Sequence, residues 1–97
     1  MELEKDVESY LKRKVKSHGG LAYKFVSPGQ RGVPDQLIIY KGQTIFAEIK
    51  KPDGALRATQ KVQIRKMQQH GASVFVIWNR ADVDEMIKTM RRLYKRG

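Results

Sequence analysis

Cysteine is missing from the 97-residue chain, histidine occurs only twice, and 10 acidic side chains face 20 basic ones. The missing thiols exclude disulfide frameworks, thiolate zinc sites and cysteine nucleophiles, and two isolated histidines, His18 and His70, cannot build a His-based metal cage. Any metal used by this chain therefore sits on oxygen ligands. No apolar run approaches the roughly 20 residues needed to cross a bilayer. The first six residues, Met1-Glu2-Leu3-Glu4-Lys5-Asp6, are charged where a signal peptide would turn apolar. A soluble intracellular protein is expected, in the cytoplasm of a cell or of an infected host. The length allows one small domain, 1–97, and excludes a two-domain enzyme.

What is present in excess is positive charge. A net charge of +10 and a pI near 10.1 attract polyanions at long range through salt-sensitive steering, and nucleic acid is the leading partner. A membrane surface is the other polyanion, but no segment joins a basic face to the bulky apolar face of an interfacial helix. At this size folding buries only about two thirds of the unfolded chain's surface, so stability is modest or helped by self-association.

Leu3, Val7, Tyr10, Leu11 and Val15 recur at steps of three and four, the stripe of an amphipathic helix over 3–15 that stops at Gly19-Gly20. Residues 21–26 have strand composition, and 27–32 gather Ser, Pro and Gly into a loop, after which Pro34 keeps Val33 extended. The apolar runs 36–40 and 44–49 flank Lys41-Gly42-Gln43 and suit a β-hairpin. A turn cluster over 50–54 precedes a helix over 59–70 that ends at Gly71. Residues 73–78 form an uninterrupted β-branched and aromatic run, the pattern of a strand buried on both faces and central in its sheet. A last helix over 81–94 has acids at its start and bases at its end, as the helix dipole favours. The order is α-β-β-β-α-β-α, an α/β fold with a small mixed sheet flanked by helices.

Chemistry concentrates in Pro34-Asp35, the hairpin, and Glu48-Ile49-Lys50. On a strand Glu48 and Lys50 project from one face while Ile49 points the other way. Asp35 comes to lie beside Glu48 if the antiparallel register pairs the start of one strand with the end of the next. Two converging carboxylates suit a hard divalent cation that keeps waters and substrate phosphate oxygens as its other ligands. An adjacent lysine suggests phosphodiester hydrolysis, in which the metal polarises the phosphoryl oxygen and activates water while the ammonium orients the nucleophile or neutralises developing charge. No Ser-His-Asp or Cys-His set competes with this reading. The bland alternative is a solvated same-face ion pair worth a few tenths of a kcal/mol. Phe46, on the face of Glu48 and Lys50, argues that this face is partly covered.

Asp35 followed by Glu48-Ile49-Lys50 resembles the PD-(D/E)XK nuclease motif. The fuller string Gly32-Val33-Pro34-Asp35, Phe46-Ala47-Glu48-Ile49-Lys50-Lys51-Pro52 and then Gln60 is similar to the virus-type replication-repair nuclease (VRR-Nuc) group, over nearly the whole chain. The resemblance implies a restriction-endonuclease-like core binding Mg²⁺ or Mn²⁺ through Asp35, Glu48 and the Ile49 backbone carbonyl. It further implies Lys50 as the catalytic lysine and Gln60 as an accessory residue. Small members of the group, often phage-encoded, look like homodimeric, structure-selective endonucleases acting on branched DNA such as Holliday junctions. The family also uses a Glu from its first helix. Here Glu4 and Glu8 lie one turn apart on one face, and the choice stays open.

Arg31, directly before the Pro-Asp, is a candidate phosphate contact. Lys51, Arg57, Lys61, Arg65 and Lys66 form a second basic strip, and Arg91, Arg92, Lys95 and Arg96 a third. His18 and His70 fall at helix ends, where an imidazolium is mildly favoured. Trp78 and Tyr94 are expected to be core or dimer contacts. The alternative function is a non-catalytic basic nucleic-acid-binding module, which gains nothing from acids placed near phosphate. A third reading, an interaction protein with a structural acidic pair, predicts no divalent-cation binding.

Overall fold

A computed structural model describes residues 3–96 and, of these, the side chains of residues 3–93. Seven elements follow one another: α1 (Glu4–Ser17), β1 (Leu21–Lys24), β2 (Gln36–Tyr40), β3 (Gln43–Ile49), α2 (Ala58–Gln69), β4 (Ser73–Ile77) and α3 (Arg80–Arg96). This is the expected order. The expected Tyr94 contact and the Lys95 and Arg96 part of the third basic strip fall outside the described side chains.

The four strands form one sheet in the order β1-β2-β3-β4, with β1, β2 and β3 antiparallel neighbours and β4 parallel to β3. Register is fixed at a two-residue turn, one residue shorter than the expected Lys41-Gly42-Gln43 connection because Gln43 already pairs with Tyr40. Lys41 and Gly42 both take positive φ, 45° and 85°, the requirement of a tight turn whose twist matches its strands. From it the ladder runs back to Gln36 opposite Ala47, and a slip of one residue would move every apolar side chain to the wrong face.

One sheet face carries the core. Ile38, Tyr40, Ile45, Ala47, Ile49 and Ile77 pack there against Val7, Leu11 and Val15 of α1 and Val83, Met86, Ile87 and Met90 of α3. Two polar ties hold the helices in place. Tyr10 Oη donates to Asp84 Oδ1 at 2.7 Å, and Gln43 Nε2 donates to the Met90 carbonyl at 3.1 Å. α1 ends where Gly19, at φ 86°, lets the Gly20 N–H reach back to the Val15 carbonyl at 2.9 Å.

The expected central position of the 73–78 strand is corrected, because β4 is an edge strand bonded only to β3. Its apolar run has another cause. Both α2 and α3 pack against it, so the strand is covered on two faces without a neighbour on its outer side. Trp78 is half-buried, and its indole Nε1 donates to the Gly54 carbonyl at 3.1 Å, tying the loop after β3 to the sheet. His18 and His70 do occupy helix ends, as the C-caps of α1 and α2. At His18 the expected imidazolium is disfavoured, since burial and then Arg91 and Lys14 hold its pKa below the ordinary value. No described helix is long and apolar enough to cross a membrane.

Candidate active site

The open end of the β2–β3 hairpin is where the ladder places its polar residues. Because Gln36 pairs with Ala47, Asp35 and Glu48 stand opposite each other one step further on. The Asp35 carbonyl accepts from the Phe25 N–H at 2.8 Å, which extends the β1 pairing and anchors Asp35 at the sheet end. On the other side, the Lys50 N–H donates to the Ile77 carbonyl at 2.9 Å and carries the β4 pairing past Glu48. Strand alternation therefore holds both carboxylates on rigid backbone.

Glu48 is 7% exposed although its strand ends at a loop. Phe46, two residues before it, meets Phe25 edge to face with centroids 5.9 Å apart, which supplies the cover expected from the sequence. Two side chains converge on Glu48 Oε2: Gln60 Nε2 donates to it at 3.2 Å, and Lys50 Nζ lies 3.8 Å away. Gln60 also closes the start of α2, where its Oε1 accepts the Arg57 N–H at 2.8 Å. The first turn of α2 is thus coupled to the acidic site by one amide. Gly32 brings that turn close. At φ 85° it packs so tightly that a Cβ would lie 2.5 Å from the Thr59 carbonyl oxygen.

Burial pushes the Glu48 carboxyl up to about 7, Asp35 adds to the shift, and Lys50 opposes it. Asp35 is raised as well, chiefly by burial, with Lys24 and the Ile49 backbone N–H opposing. Asp35 Oδ1 is buried and accepts no hydrogen bond among the described residues. Two desolvated carboxylates side by side, one with an unused oxygen, are a costly arrangement without a cation. They fit a divalent ion such as Mg²⁺ or Mn²⁺ that takes one or two carboxylates and fills its shell with other oxygens. No group of three His, Cys, Asp or Glu side chains among the described residues forms a metal cage. A cation here would complete its shell from water, backbone carbonyl or substrate.

A cavity of about 500 Å³ opens beside Asp35 and is lined also by Glu4, Lys5, Glu8, Lys24 and Lys51. The two helix glutamates are placed differently. Glu8 Oε1 accepts from Gln36 Nε2 at 3.2 Å and from Lys24 Nζ at 3.3 Å, and its charge raises Asp35. Glu4 is exposed, its side chain makes no hydrogen bond or ion pair among the described residues, and its charge raises Glu48. Lys24 is itself held above its ordinary pKa, first by the hydrogen bond to Glu8.

Among the expected DNA contacts, Lys51 lines the cavity, while Arg31, Arg57 and Lys61 are exposed around the loop before Asp35 and the start of α2. Sequence reasoning missed Gln36 and Lys24. Gln36 is fully buried, with its Nε2 on Glu8 and its Oε1 unpaired. The available signal was a lone amide opening an otherwise apolar strand next to the Pro-Asp.

Comparison with profiles of known protein families gives no match. Among solved structures, a chain described as a VRR_NUC domain superposes with a TM-score of 0.80 at 30% identity, covering 88% of this chain and 94% of that one. Among curated proteins, p44 of Acyrthosiphon pisum secondary endosymbiont phage 1, a candidate nuclease by name, is 52% identical over 50 residues. That match spans 50% of this chain and 54% of p44, so the aligned part is about half the length of each.

Proposed function

The chain belongs to the VRR-Nuc family of nucleases, and from that premise we propose that it is a metal-dependent, structure-selective DNA endonuclease that hydrolyses phosphodiester bonds at Asp35, Glu48 and Lys50. The observation that carries this reading is the convergence on Glu48. A buried carboxylate faces Asp35, accepts from Gln60 and has Lys50 3.8 Å away. A non-catalytic binding module would have no use for two desolvated acids beside a surface meant for phosphate.

Asp35, Glu48 and the Ile49 backbone carbonyl would hold the cation. When bound, Mg²⁺ or Mn²⁺ supplies Lewis-acid polarisation of the phosphoryl oxygen and a more acidic water. The chain's own residues supply position and charge. Gln60 holds the Glu48 carboxylate at Oε2. Lys50, 17% exposed at its side chain, keeps its ammonium beside that carboxylate, where it can orient an attacking water and offset the negative charge that grows on the phosphoryl oxygens. Gln36 and Lys24 hold Glu8 toward Asp35, which favours Glu8 as the helix glutamate of the site. Arg31, Lys51, Arg57 and Lys61 would meet the phosphates that flank the scissile bond.

The reading extends to residues 1–97 as one nuclease domain and to a homodimer acting on branched DNA, Holliday junctions among its substrates, in the cell that holds that DNA. A dimer suits two strands cut by two symmetric sites. An apolar surface suits it too: Leu21, Tyr23 and Ile39 are 50%, 50% and 37% exposed on the sheet face away from the core. The test is cleavage of labelled four-way junction, flap and linear duplex with Mg²⁺, Mn²⁺ or EDTA, beside Glu48→Gln. Metal-dependent cutting of branched substrates that the variant lacks is expected. Tight binding without cutting under every metal condition would select the binding module instead.

A further inference from the structure

The solvent side of α1 raises a question that the cleavage site leaves unanswered. Val7, Leu11 and Val15 face the core, and Glu8 turns toward Lys24 and Gln36. Beside Glu8, on the solvent side of the helix, Lys5, Lys12 and Lys16 are exposed and fall within one narrow strip of the surface, interrupted only by Ser9. None of the three side chains has a hydrogen bond or ion pair with a described residue. Lys12 and Lys16 are four apart, a spacing at which like charges destabilise a helix, and the acid four residues before Lys12 is Glu8, already engaged elsewhere. The ridge therefore holds uncompensated charge that folding does not use.

The ridge also has a direction. Lys5 lines the cavity beside Asp35, and Lys16 lies in the last turn of α1, about 16 Å further along the axis at 1.5 Å per residue. That span corresponds to about five base pairs of duplex at 3.4 Å each. We propose that Lys5, Lys12 and Lys16 form a second nucleic-acid contact, a rail for the sugar–phosphate backbone of the duplex flank that leads away from the cleavage site. This rests on the nuclease reading for the identity of the polyanion. The rail reads no sequence, because it meets phosphate alone, and it sets a minimum flank length for tight binding.

The test uses the double variant K12Q/K16Q in the Glu48→Gln background, with helix content checked by circular dichroism. Affinity is measured over a salt series on two branched substrates whose flanks are three and ten base pairs long. On the long flank, the slope of log K against log salt should fall in magnitude by about two, with at least tenfold weaker binding near 0.1 M salt. The short flank, about 10 Å long, reaches Lys12 and stops short of Lys16, so there the slope should fall by only about one. Lys88→Gln, an exposed lysine already paired with Glu85, serves as control and should leave the slope unchanged. An unchanged slope in the double variant, or an equal loss on both flanks, overturns the rail while leaving cleavage by the unaltered chain to stand. A chain that neither binds nor cuts DNA at any salt overturns both readings.

Discussion

Two lysine–glutamate pairs in this molecule have the same chemistry and opposite surroundings. Lys88 and Glu85 meet at 3.3 Å on the outside of α3, each side chain 72% exposed. Lys50 and Glu48 lie 3.8 Å apart at the end of β3, with side chains 17% and 9% exposed. The shorter contact is the less consequential one. Water screens the helix pair and leaves it worth well under 1 kcal/mol. Burial makes the strand pair expensive, displaces the protonation of Glu48 to about 7, and puts a charged lysine where it cannot be satisfied by solvent alone. Burial and the presence of Asp35, more than the pairing itself, separate a candidate site from a surface ornament.

Breaking the buried pair should have the largest effect. Glu48→Gln is expected to lower metal-dependent cleavage on the order of a thousandfold, since removal of a ligand forfeits several kcal/mol of transition-state stabilisation. DNA binding should hold or strengthen as repulsion of phosphate falls, which a gel-shift titration would read. Lys50→Ala should cost about a hundredfold in single-turnover rate. Next comes pH. The folded pKa of Glu48, about 7, lies above its ordinary 4.5, so its contribution to stability is fully present below about 4.5 and lost as pH rises through 7. Without divalent ions, this residue should take up to about 3 kcal/mol from stability between pH 4.5 and 8, and Glu48→Gln should flatten that part of the profile in thermal melts. Gln60→Ala, which releases both Glu48 and the N-cap of α2, is expected to cost about 1 kcal/mol in urea unfolding. Glu85→Gln, the matched change in the exposed pair, should move stability by less than about 0.5 kcal/mol and leave cleavage alone.

Much of this arrangement was legible in the residues themselves. Alternation in 44–49 puts Glu48 and Lys50 on one face by local rules of pleat, whereas the register that sets Asp35 opposite Glu48 depends on a turn of two residues, Lys41-Gly42, where the sequence suggested the three-residue connection Lys41-Gly42-Gln43. The position of β4 could not be read from the residues. An apolar strand between two sheet neighbours and one between two helices have the same composition, and only packing by α2 and α3 distinguishes them. Glu4 and Glu8 share a helical face, and no periodicity separates them. The separation comes from Gln36 and Lys24, which reach Glu8 across 28 and 16 residues of sequence. Such partners are invisible to pattern reading because each is, by itself, an ordinary polar residue.

Asp35 and Glu48 are proposed to hold a divalent cation between them. Titration of the protein with Mn²⁺ near pH 8, followed by electron paramagnetic resonance of the free ion, tests that assignment directly. Mn²⁺ uptake by the unaltered chain is expected, with loss of that uptake in Asp35→Asn and in Glu48→Gln and its retention in Lys50→Ala. Uptake that survives both carboxylate substitutions, or no uptake by the unaltered chain, would contradict the assignment.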